Sequence, residues 1–155
     1  IDNRMQTLYV LAAKSYDANG STTEDIIAHL NEFFGGIRER YGYVDRVRAD
    51  CADPVMINTE EANTEWNVCG SVKNAICDRI RATTYLMEHR RLKIVRGACD
   101  DLIEAFCNAV WDPKKHDDER LDNFTYNVCI LDAFEYAFEE YVTALVPDLT
   151  REEKE

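Results

Sequence analysis

The chain has 155 residues, 46% of them hydrophobic and 31% charged, a balance that suits one folded domain and excludes a disordered one. No apolar run approaches the roughly 18 residues that a membrane-crossing helix needs. A net charge of −12 and a pI near 4.7 argue against nucleic acid as the main partner.

Apolar residues recur at three- and four-residue steps with no sustained alternation, which predicts an all-α fold of about five helices with short connections. A first helix is expected from about Asn3 to Asp17, with Met5, Leu8, Ala12 and Tyr16 on one face. Asn19-Gly20 stops it, and Ser21-Thr22-Thr23-Glu24 has the spacing of a capping box for the next. The second stripe, from Ile26 through Leu30, Phe33, Ile37 and Tyr41 to Val44, stays in phase across Gly35-Gly36, where a kink or a break is expected. Asp53-Pro54 ends that element and Asn58-Thr59-Glu60-Glu61 opens another.

From Trp66 to Trp111 the helical pattern runs on, too long for one helix in a domain of this size. A turn is therefore required near Glu88–Arg91 or at Gly97. Asp112-Pro113 closes this stretch. A last helix is expected from Leu121 to Leu145, ended by Pro147. Residues 1–150 form a single helical domain on this reading, and 151–155 a charged tail.

Cys51, Cys69, Cys77, Cys99, Cys107 and Cys129 make an even set without C-x-x-C pairs, so they are read as three disulfides stabilising the bundle. The two C-x7-C pairs cannot close on themselves along an intact helix. The cysteines, and an opening at Ile1 rather than Met, point to a processed protein that is secreted and extracellular. Asn19-Gly20-Ser21 is a glycosylation sequon in a predicted loop; Asn123-Phe124-Thr125 is a second one inside a helical pattern.

Charge is segregated. Residues 79–96 carry Arg79, Arg81, Arg90, Arg91, Lys93 and Arg96 against Glu88 alone, a net +5 that leaves the rest of the chain at −17. This stretch is the candidate binding surface, unless its arginines simply pair with the acidic last helix. Asp25 and His29 lie one helical turn apart with no second such pair, which is ordinary for a solvated ion pair. Adjacent acids such as Glu60-Glu61, Asp100-Asp101 and Glu139-Glu140 point about 100° apart on a helix and do not converge. There is no phosphate loop, nucleophile elbow or metal-binding spacing, so neither an enzyme nor a cofactor nor a metal is expected.

The function expected is a secreted macromolecule-binding module, an inhibitor or an immune or haemostasis modulator of the kind found in the saliva of blood-feeders or in parasite secretions. Its partner would be an extracellular protein or a sulfated glycan. The alternative is a carrier of a small apolar ligand in an inter-helical pocket, marked by a sizeable cavity rather than a filled core.

Overall fold

The computed structural model describes residues 1–2, 4–17, 19–114, 120–121 and 128–147. It corrects the all-α expectation, because the fold is mixed α/β with two small parallel sheets. The chain divides into two compact units, residues 1–14 with 72–155, and residues 15–71.

In the first unit, strand β1 (Leu8–Val10) pairs in parallel with a later strand at Leu92–Ile94, in register Leu8↔Leu92, Tyr9↔Lys93 and Val10↔Ile94. The helix expected at 3–17 is therefore absent. Leu-Tyr-Val has strand propensity, and a partner more than eighty residues away decides its conformation. Met5, placed on the expected helical face, is 66% exposed.

The second unit opens on helix α1 (Thr23–Tyr41). Its cap lies one residue later than the sequence suggested. Thr22 accepts from the Asp25 backbone N–H, and Asp25 returns the bond to the Thr22 N–H at 2.8 Å. The helix passes through Gly35-Gly36 unbroken and ends at Gly42, whose φ of 111° only glycine adopts freely.

Beyond it, strand β2 (Val47–Ala49), helix α2 (Pro54–Asn63) and strand β3 (Val68–Gly70) form a β-α-β unit with the strands parallel. Asp53-Pro54 starts a helix here rather than ending one. The Asp53 carboxylate accepts from the Met56 N–H at 2.9 Å, and Pro54 fills the first helical position, where no N–H is needed. Val47, Trp66 and Val68 are the buried core of this unit, flanked by Phe34, Val44, Ala49 and Ile57.

The chain then returns to the first unit with α3 (Ile76–Glu88), β4 (Leu92–Ile94), α4 (Asp100–Asn108) and α5 (Val128–Phe138). A 3₁₀ turn (Glu139–Tyr141) and the short α6 (Val142–Leu145) follow. Both candidate turns are used. The Arg91 N–H reaches back to Leu86 C=O at 2.7 Å and the Arg90 N–H to Met87 C=O at 3.0 Å, a Schellman closure with Arg90 left-handed at φ 56°. Gly97, at φ 79°, then turns the chain before α4.

Helix α5 buries residues on every side, including Ile130, Leu131, Phe134, Tyr136 and Phe138, as a central core helix must. Leu86, Leu102, Leu131 and Leu145, each at most 1% exposed, pack with it in one cluster. Burying such a side chain contributes about 1.5–3 kcal/mol. The expected last helix is thus split after Phe138; Leu121, its expected start, is not helical, and residues 122–127 lie outside the described residues, as do Asn123 and the 151–155 tail.

All six cysteines are free, so the three-disulfide framework is also corrected. Cys99 is wholly buried and behaves as a small hydrophobe, its S–H directed at Val10 C=O at 3.6 Å. The Cys69 thiol is likewise directed at Val47 C=O at 3.6 Å. The secreted location, and the inhibitor and salivary roles drawn from it, lose the feature that supported them.

Candidate cationic surface

The six cations of residues 79–96 separate into distinct environments. Arg79 on α3 is 3% exposed. Its guanidinium lies 3.3 Å from Asp132 and 3.5 Å from Glu135, both on α5, and 4.8 Å from the centre of the Tyr136 ring. Pairing with the acidic last helix is therefore realised at this residue. Arg91 is half-buried, donating to Gln6 Oε1 at 2.9 Å and lying over the Tyr85 ring. Arg81 is exposed and reaches Asp78 at 3.6 Å, one turn away on the same helix.

Arg90, Lys93 and Arg96 are exposed, and no carboxylate pairs with them among the described residues. The Schellman turn holds Arg90 just before β4, Lys93 projects from the middle of that strand, and Arg96 follows it before Gly97. Extended chain covers about 3.3 Å per residue, so the three cations lie within roughly 20 Å. They are three exposed cations within seven residues of a chain of net −12.

Beneath the surface of the same unit is a cluster that sequence reasoning missed. Arg120 forms a two-pronged ion pair with Glu135 and lies 3.4 Å from Asp132. Glu135 is fully buried; burial pushes its carboxyl upward while Arg120 and Arg79 pull it back. Two cations and two carboxylates balance, which is how a core tolerates charge. A signal was available: α5 is so apolar that an acid on its inner face needs a cation.

Other candidates resolve simply. Asp25 is held by its cap, which lowers its carboxyl below the usual range through the Thr22 N–H first and the Thr22 hydroxyl second. His29 stacks on Tyr16 with ring centres 4.1 Å apart. Glu139 is buried and accepts from the backbone N–H groups of Lys73 at 2.9 Å and Asn74 at 3.1 Å. Asn19 is exposed in the turn before α1, whereas His116 lies outside the described residues. Among the described residues no three His, Cys, Asp or Glu side chains converge as a metal would require.

Two adjoining open clefts run along α3. One, of about 190 Å³, is lined by Ile80, Thr83, Met87, Phe106, Trp111 and Arg120; the other, of about 310 Å³, by Cys77, Ile80, Arg81, Thr84, Tyr85 and Trp111. In the second unit a polar cleft lies beside Asn31, Gly35, Arg38, Asn63 and Trp66. No described helix is long and apolar enough to cross a membrane. No family model, curated protein or solved structure matches the chain.

Proposed function

We propose that the protein is a binding module for a polyanionic macromolecule, with Arg90, Lys93 and Arg96 as its contact strip and Arg81 at its margin. The observation that carries the reading is that three neighbouring cations stay exposed, with no carboxylate partner among the described residues, in a strongly acidic chain. Folding gains nothing from them, since exposed ion pairs contribute about 0–1 kcal/mol even when formed. A concentrated positive field instead steers an anionic partner and excludes cationic ones.

The carrier alternative draws on the apolar walls of the α3 clefts. The core beside them is filled by Leu86, Leu102 and Leu131, and the clefts open to solvent, so they offer a small ligand little enclosure.

Chromatography on immobilised heparin, a sulfated glycan, tests the reading. The wild-type protein is expected to bind at low salt and elute as salt rises, and the triple variant Arg90→Glu, Lys93→Glu, Arg96→Glu to flow through. Equal retention of the two proteins contradicts it.

A further inference from the structure

We infer that strand β4 is a docking edge for an extended acidic polypeptide, which adds a strand beside Leu92–Ile94 while its carboxylates meet Arg90, Lys93 and Arg96. This rests on the polyanion reading and narrows its partner to a protein segment.

The backbone register points there. The Leu8 N–H bonds to Arg91 C=O at 2.9 Å and the Val95 N–H to Val10 C=O at 3.1 Å, so the odd residues of this strand face β1. Leu92 and Ile94 consequently turn their N–H and C=O groups to the opposite edge, where no described residue pairs with them. Four unpaired backbone groups on a strand edge are a template for another strand. Sequences usually blunt such edges with charge, and Lys93 serves that end against neutral or cationic strands. Against an acidic strand the same charge, with Arg90 and Arg96 at the two ends, becomes attractive. The Leu92 and Ile94 side chains pack on the core, so the edge is held rigid before a partner arrives. A sulfated glycan would use the cations but leave the four backbone groups untouched.

The probe is an acetylated, amidated peptide of alternating valine and glutamate, titrated into the full chain with amide hydrogen exchange read residue by residue. Strand addition predicts saturable binding that slows exchange at Leu92 and Ile94. It also predicts at least tenfold weaker binding for Lys93→Glu and for Ile94→Pro, the latter removing an outward N–H and no ladder bond. If Ile94→Pro unfolds, the exchange pattern of the wild type and the Lys93→Glu affinity still decide. Binding without protection of Leu92 and Ile94 overturns the inference. Retention on heparin with no peptide binding also overturns it, while leaving the polyanion reading in place; failure of both ligands removes both.

Discussion

Arg79 on α3 and Glu135 on α5 meet 3.5 Å apart in the core of the first unit, at 3% and 0% exposure. With Arg120 closing on the same carboxylate, this contact ties two helices and the segment before α5 by charge rather than by apolar packing alone. It also explains why the cationic stretch of the sequence is not one surface: its first arginine is a core residue.

Removing the carboxylate leaves the partly exposed Asp132 alone to neutralise both Arg79 and Arg120, with Arg79 still buried. Glu135→Ala is therefore expected to destabilise the fold by about 3–5 kcal/mol, read as a lower urea midpoint at unchanged slope. A loss below 1 kcal/mol would show that the cluster is solvated.

Glu60 on α2 is 7% exposed, and burial first, then the negative charge of Asp53, raises its carboxyl above the ordinary 4.5. The native state thus holds this proton more tightly than the unfolded chain does. The resulting stability is fully present below the ordinary value and is lost as pH rises through the higher native one. Glu60→Gln should accordingly be more stable than wild type at pH 7, with the gain fading on acidification towards 4.5. Melting curves of both proteins across that range check it, and a gain that grows on acidification would contradict the sign.

At the end of α3, Arg90 occupies the left-handed position that glycine fills in most such turns. Arg90→Gly should raise stability by about 0.5–1 kcal/mol while weakening heparin retention, because one substitution relieves the backbone and removes a cation. Calorimetry and the salt concentration of elution measure the two effects separately.

Inside α1, a Cβ at Gly36 would meet nothing within 4 Å. Gly36→Ala should gain about 0.5–1 kcal/mol from helix propensity and unfolded-state entropy, seen as a higher melting temperature.

Six free cysteines predict six thiols titrated in denaturant without reductant. In the native protein Cys99 should react slowest, since it is buried and burial raises its thiol above the usual range. A count of zero in denaturant would reinstate the disulfide framework.

Helices with an uninterrupted apolar stripe were legible. The Ile26–Tyr41 stripe is α1, and the run through Leu131, Phe134 and Phe138 is α5. The strands were not. Each has three residues, too few for a period of two to show, and each is specified by a partner distant in the chain. Cys69, the middle residue of β3, fell in phase with the helical pattern that begins at Trp66 by coincidence of spacing. Asp53-Pro54 marked a boundary correctly but in the wrong sense, because proline ends one helix as readily as it opens the next.

For the site, the concentration of cations at 79–96 was visible, but their division was not. Whether an arginine is buried depends on which face of α3 meets α5, and Arg79 and Arg81 lie on different faces of one helix. Arg120 lay outside the stretch altogether. The cysteine count misled because buried thiols and disulfides leave the same mark on composition.

The most direct test of the cationic strip is the salt dependence of heparin binding, measured by fluorescence titration for wild type and for the Arg90, Lys93, Arg96 charge-reversed variant. Wild-type affinity should fall steeply with the logarithm of salt concentration, and the variant should show weak binding with a nearly flat slope. Equal slopes for the two proteins would contradict the assignment of Arg90, Lys93 and Arg96 as the binding surface.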